Sequence, residues 1–183
     1  MMDYDFDLVQ LPPLSELPKA PQEIVRCPVM CTYKRMEESF VPMNPVLLKY
    51  LLRKRKYRGS ETGGILGLSQ GIITHYYHDQ GGKLIEGGYF PNYEDLNWIL
   101  AQWKRVGTEF GALLHIHAPG ECVPSASDLR YVSAILSFNP QLPSVLLGIV
   151  ADEQLTFFRF ERDFLSERTG LPSPTDCDTI ERQ

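Results

Sequence analysis

At 183 residues, 43% of them hydrophobic and 22% charged, the chain has the size and composition of one globular domain with a real core and is short for two. Its net charge of −5 argues against a partner held through nucleic-acid phosphates, and no apolar run is long enough to span a membrane. Four cysteines at irregular spacing do not read as a disulfide framework, and the acidic, proline-rich start is unlike a secretory signal, so a reducing cytoplasm is the expected compartment.

Residues 1–23 carry Asp3, Asp5 and Asp7, then Pro12, Pro13, Pro18 and Pro21. Proline removes backbone donors and favours extended structure, so this stretch is expected to be an arm outside the core, lying loosely on the domain. A strand is expected from Ile24 to Tyr33, with Val25, Cys27, Val29 and Cys31 on one face. Cys27 and Cys31 lack a second Cys or His pair at chelating distance, and buried apolar thiols account for them better than a metal. Asn44-Pro45 then opens a helix, Asn as cap and Pro in the first turn, with Leu47, Leu48, Leu51 and Leu52 as its core stripe. Its basic end, Arg53 to Lys56 with Arg58, suits a helix C-terminus.

Glu61–Leu68 and Ile72–His78 read as a hairpin turning at Ser69-Gln70-Gly71. Gly63 and Gly64 allow backbone or ligand to approach closely beside Glu61, which makes them candidate substrate-binding positions. His75 and His78 fall on opposite faces of their strand and are expected at the surface. A further strand is expected within Leu84–Phe90. Asn92 caps a second helix ending near Gly107, with Leu96, Ile99, Leu100 and Trp103 at helical spacing; Trp98 and Trp103 are expected to pack.

The stretch from Phe110 to Asp128 organises the rest. Phe110, Ala112, Leu114 and Ile116 alternate with Leu113, His115 and His117, so the two imidazoles share one strand face. Seven residues on, Ser125-x-x-Asp128 opens a helix that runs to about Phe138, its core side carrying Leu129, Val132, Ile135 and Leu136. Strands Ser144–Val150 and Leu155–Phe160, joined at Asp152-Glu153, close the fold, and residues 166–183 form a tail of low apolar content. The order β-α-β-β-β-α-β-α-β-β predicts an α+β domain over 24–165, a mixed sheet with helices packed on it.

Two His and one Asp are ligands of the kind a catalytic zinc uses, with a fourth position left for water. Each piece also has a plain reading. Ser-x-x-Asp before an apolar run resembles a capping box, in which both side chains bond free backbone donors. The two readings coexist, since a helix-starting Asp can turn its carboxylate to a metal. From this chain's own residue frequencies the whole four-residue pattern is expected by chance only on the order of a few times in ten thousand.

His115-Ile-His117, Pro124-Ser125-x-x-Asp128 and the upstream Glu61-Thr-Gly-Gly together resemble the JAMM motif of the MPN (JAB) metalloprotease family. The resemblance spans roughly residues 25 to 160, and one departure is visible: Ala118 stands between His117 and Pro119, where many members have Pro directly. It implies a cytidine deaminase-like curved mixed sheet flanked by helices, and one zinc per chain on His115, His117 and Asp128. It further implies Glu61 as general base and Ser125 as donor to the oxyanion. The implied activity is isopeptide or peptide hydrolysis after the Gly-Gly tail of a ubiquitin-like protein, a deubiquitinase-like reaction, with activating and conjugating (E1- and E2-like) proteins as further partners. The short linkage from His117 to Ser125 resembles minimal prokaryotic members. Neither nucleic acid nor membrane is an expected partner.

Three alternatives stay open on sequence: a non-catalytic MPN interaction scaffold, a RadC-like protein associated with DNA repair, and the same chemistry on another amide. All five motif positions are present, against the first; Glu61-Thr-Gly-Gly and the acidic charge weigh against the second. Cys122, in the loop between the ligands, reads as a passive loop residue more readily than as a redox-sensitive thiol.

Overall fold

The computed structural model describes residues 9–13, 31–36, 41–54, 61–85 and 88–162. In chain order these form β1 (Cys31–Arg35), α1 (Pro45–Lys54), β2 (Thr62–Ser69), β3 (Ile72–His78), β4 (Lys83–Ile85) and β5 (Gly88–Phe90). There follow α2 (Tyr93–Arg105), β6 (Glu109–Ile116), α3 (Ala126–Phe138), β7 (Ser144–Ala151) and β8 (Gln154–Arg162). Six strands make one curved sheet in the order β1-β8-β7-β6-β2-β3, antiparallel throughout except for the parallel pair β6 and β7 that α3 connects. The expected α+β class, a mixed sheet carrying helices, is the one observed. No helix among the described residues is long and apolar enough to cross a membrane.

Local chemistry explains most of the element ends. The Asn44 carboxamide oxygen accepts from the amides of Val46 (2.9 Å) and Leu47 (3.3 Å), capping α1 as its sequence implies. Gln70 and Gly71 both take positive φ, 52° and 77°, as do Asp152 and Glu153 at 47° and 63°. A two-residue turn of that hand matches the twist of the strands it joins, and so β2–β3 and β7–β8 are tight hairpins.

The sheet separates two apolar layers. On one face α2 and α3 pack over Ile65, Leu113, Leu147 and Ile149; on the other, α1 brings Leu51 against Leu66, Ala112, Leu114, Ile116 and Phe157. The strict alternation expected along β6 breaks once. Leu66 pairs with Ala112 but Gly67 pairs with Phe110, so Gly111 is an extra residue in the ladder. The bulge turns Phe110 to the α2–α3 side, away from Ala112 and Leu114.

Other expectations are corrected. Where one strand was expected within 84–90, two short strands, β4 and β5, pair as a small separate sheet. Trp98 is 62% exposed, on the outer side of α2, and Leu48 sits at the rim of α1, while Leu51, Leu96 and Leu100 fill the core positions expected of them. His75 is at the surface as expected, but His78 is half-buried, its Nδ1 3.2 Å from the Gly63 carbonyl. Within the proline-rich start, residues 9–13 are no loose tail, for Leu11 is 2% exposed and belongs to the core. The Asn97 side chain bonds both the amide and the carbonyl of Leu11 (2.8 and 3.1 Å), and Asn139 does the same for Gln10 (2.8 and 2.7 Å). Observed β1 begins at Cys31; the expected strand start at Ile24, the Cys27 position, the rest of the arm, the basic end beyond Lys54 and the C-terminal tail lie outside the described residues.

Candidate metal centre

The site forms where the chain leaves β6 and re-enters as α3. His115 lies on the α2–α3 face of β6, paired with Gly63 of β2 on one side and Ile149 of β7 on the other. His117 lies one step past the end of the strand, and its amide still donates to the Val150 carbonyl (3.1 Å), so the strand direction persists and both imidazoles point the same way. Asp128 sits in the first turn of α3, where the partial positive charge of a helix N-terminus favours a carboxylate. All three are almost fully buried, at 4%, 3% and 4% exposure, and their candidate ligand atoms lie within 4.8 Å of one another.

Asp128 is held from two sides. Its Oδ2 accepts from the Ser125 amide (2.7 Å) and hydroxyl (2.8 Å), while the Ser125 Oγ accepts from the Asp128 amide (3.2 Å). This is the capping box read from sequence, and it coexists with the second role. The Asp128 Oδ1 is 2.6 Å from His115 Nδ1, and Oδ2 is 3.4 Å from His117 Nε2. Ser127, unremarked in the sequence, adds a hydroxyl 2.8 Å from that of Ser125.

The donors fit a divalent metal. His117 Nδ1 faces the Glu121 carbonyl at 3.1 Å, which assigns the proton to Nδ1 and leaves Nε2 as a lone pair. That lone pair points toward a carboxylate oxygen, two acceptors facing each other. His117 Nε2 and His115 Nδ1 are both buried, and each faces the Asp128 carboxylate. A proton or a metal ion placed among them would satisfy both nitrogens and the carboxylate.

Electrostatics couple the same groups. Burial by itself would raise Asp128, but the charges and hydrogen bonds of His115 and then His117 outweigh it and hold the carboxyl well below its ordinary range. For His117 burial pulls downward, and the Asp128 bond and charge, the Glu61 charge and the Glu121 carbonyl together push it above its ordinary value.

Glu61 immediately precedes β2. The register, Thr62 opposite Ile116 and Gly63 opposite His115, extends by one residue to bring Glu61 beside His117. Its Oε2 accepts from the Tyr89 amide at 3.2 Å. The structure thus brings together Glu61, His115, His117, Ser125 and Asp128, all five motif positions.

Gly63 and Gly64 do permit close approach, but the chain itself makes it. A Cβ at Gly63 would run into the Tyr89 ring and lie 2.7 Å from the Leu114 carbonyl; one at Gly64 would run into the Tyr77 carbonyl. Both glycines are buried packing positions here. Cys122 is exposed in the loop, its Sγ 3.4 Å from Asp152 Oδ2, which also accepts from the Gly120 amide (2.9 Å). Burial and Asp152 push its thiol pKa up, the opposite of an activated thiol, in keeping with a passive loop residue. A cavity of about 530 Å³ beside Val9, Leu100 and Phe110 shares no residue with the triad.

No protein-family model matches the sequence, and no curated protein matches it significantly. Solved structures similar in fold include two of low sequence identity. One is protein DSY2949 from Desulfitobacterium hafniense, 16% identical over 67% of this chain and 89% of that one, with a TM-score of 0.48. The other is AF2198, a JAB1/MPN domain protein from Archaeoglobus fulgidus, 16% identical over 68% of this chain and 89% of that one, with a TM-score of 0.40. At such identities and scores neither likeness carries the functional argument, which rests on the side chains.

Sequence reading passed over Asp79 and Tyr89. Asp79 is buried and accepts from the Tyr89 hydroxyl (2.6 Å), the Asn92 amide (2.7 Å) and the Gly81 amide (3.1 Å). The only sequence signal was Asp79-Gln-Gly-Gly82, which reads as an ordinary turn.

Proposed function

We propose that the protein is a zinc-dependent amide hydrolase of the JAMM type, binding one zinc through His115, His117 and Asp128. The observation that carries this reading is the buried triad, two imidazole nitrogens facing one carboxylate with all three ligand atoms close enough to share one ion. When bound, zinc supplies Lewis acidity and brings the pKa of a coordinated water to about 7. Glu61, beside His117, takes the proton of the attacking water and returns it to the leaving amine. The Ser125 hydroxyl, bonded to Asp128 here, turns to the substrate to donate to the developing oxyanion; losing such a donor typically costs about 100- to 1,000-fold in rate. The buried walls exclude water and strengthen each of these interactions.

The substrate class proposed is the amide bond following the Gly-Gly tail of a ubiquitin-like protein, supported by the motif resemblance of Glu61, His115, His117, Ser125 and Asp128. Activating and conjugating proteins for such a modifier are the natural partners, and the cytoplasm the natural compartment. The test combines elemental analysis with cleavage of fusions whose modifier ends in Gly-Gly. About one zinc per chain and a cut directly after the second Gly are expected, and His117→Ala should lose most of the metal. Full zinc in that variant would overturn the ligand assignment. Equal rates when the final Gly is replaced by a β-branched residue would overturn the substrate assignment. Zinc without cleavage of any amide would favour a scaffold.

A further inference from the structure

The β4–β5 pair reaches the proposed centre through one side chain. Tyr89, in β5, sets its ring nearly perpendicular to the His115 ring, with centroids 5.2 Å apart at 82°, and its backbone amide donates to Glu61 Oε2. Its hydroxyl donates to Asp79 at 2.6 Å. Asp79 is tied in turn to β2, through its own amide on the Gly63 carbonyl (3.0 Å), and to the start of α2, through the Asn92 amide. Two glycines make room for the ring: a Cβ at either Gly63 or Gly82 would run into it. One residue therefore touches both a metal ligand and the carboxylate assigned as base, and it is anchored by a buried acid that touches neither.

We infer that Tyr89 is a positioning residue, holding the Glu61 carboxylate by its amide and the His115 ring by its own ring, with Asp79 as the anchor that fixes both. The physical need is clear. Glu61 stands just before β2, where the ladder no longer constrains it, and a glutamate has several rotatable bonds. A carboxylate with one oxygen on a backbone amide presents the other in a set direction, which is what proton transfer requires. An aromatic ring packed at right angles to it likewise stops the imidazole from swinging out of the ligand plane. This inference rests on the reading of Glu61 as general base, and its test separates the two.

The variant is Tyr89→Phe, which keeps the ring and removes only the hydroxyl that reaches Asp79. The first measurement needs no turnover: the amide proton chemical shift of residue 89, read by NMR. It should move upfield in Glu61→Gln, and in the same direction in Tyr89→Phe as the strand loses its anchor. An unmoved amide in Tyr89→Phe would overturn the inference whether or not the protein cleaves anything. The second is a double-mutant cycle on the zinc-loaded protein. Tyr89→Phe should keep its zinc and its KM while kcat falls about tenfold or more. Added to Glu61→Gln it should lower kcat no further, since it acts through Glu61. Equal loss in both backgrounds would assign Tyr89 a general structural part and overturn the inference. Absence of all turnover in the wild type would instead strike the proposed activity, and the amide shift would then decide alone.

Discussion

Ser125→Ala is the substitution whose effects the geometry sets most fully. Beside its contact with Ser127, the serine hydroxyl has two bonds to Asp128 to lose: it caps α3 by accepting from the Asp128 amide, and it donates to the Asp128 carboxylate at 2.8 Å. A lost cap costs about 1 kcal/mol. A lost bond to a charged group costs about 1.5–3 kcal/mol, and because this one is half-buried the lower end applies. The Ser125 amide still donates to Asp128 Oδ2 at 2.7 Å, so the carboxylate keeps one of its two holds. The zinc-free variant should therefore be less stable by roughly 2–3 kcal/mol, adding those two terms. Zinc affinity should fall about 10- to 100-fold, as it does when a group orienting a ligand is removed. Denaturant unfolding of the metal-stripped protein and competition with a coloured chelator measure the two quantities. Ser125→Thr, which keeps the hydroxyl, should recover most of both. If Ser125→Ala unfolds at the wild-type midpoint and binds zinc equally well, the hydroxyl does not orient Asp128 and the account of the site is wrong.

Two further outcomes follow from burial and charge. The metal-free protein should be most stable in mildly acidic solution. Asp128 is depressed by its imidazole partners and so contributes stability above its unfolded value, near about 4; His117 is raised and contributes fully only below its own, near about 6.5. Between those limits both contributions are present. Unfolding midpoints of chelator-treated protein should drop as pH rises from 6 to 8, and His117→Gln should flatten the slope, while zinc affinity climbs over the same range because the ligand must be neutral. A slope unchanged by His117→Gln would show that other groups set it. Leu11→Ala should destabilise by about 2–5 kcal/mol in denaturant, as for any fully buried leucine, because the segment 9–13 is part of the core. A change below about 0.5 kcal/mol would mean that the segment is a dispensable arm.

The parts legible in the sequence were those fixed by neighbours in the chain. The alternation of Leu113, His115 and His117, the Asn44-Pro45 start, and the Gln70-Gly71 and Asp152-Glu153 turns each depend on a few adjacent residues, and each came out as read. The capping geometry of Ser125 and Asp128 is likewise local. What could not be read depends on distant partners. Leu11 is buried because Asn97 and Asn139, 86 and 128 residues away by number, bond the backbone around it. Phe110 changes face because one glycine has no partner in the β2–β6 ladder, and nothing in the pattern of apolar residues marks it. Asp79 looked like a turn residue because a buried carboxylate is betrayed only by the donors that fold around it. Trp98, apolar in composition, is simply on the outer side of α2, one position from Asn97, whose amide reaches inward.

The central claim is that three residues hold the metal and a fourth, Glu61, moves the proton. Zinc content and turnover of Glu61→Gln, measured beside Asp128→Asn, test it directly. Glu61→Gln keeps the shape of the side chain and removes only its ability to accept a proton. It should retain about one zinc per chain while turnover falls about 100-fold or more, whereas Asp128→Asn should lose zinc itself. A Glu61→Gln protein that sheds its metal, or that cleaves at the wild-type rate, would contradict the account.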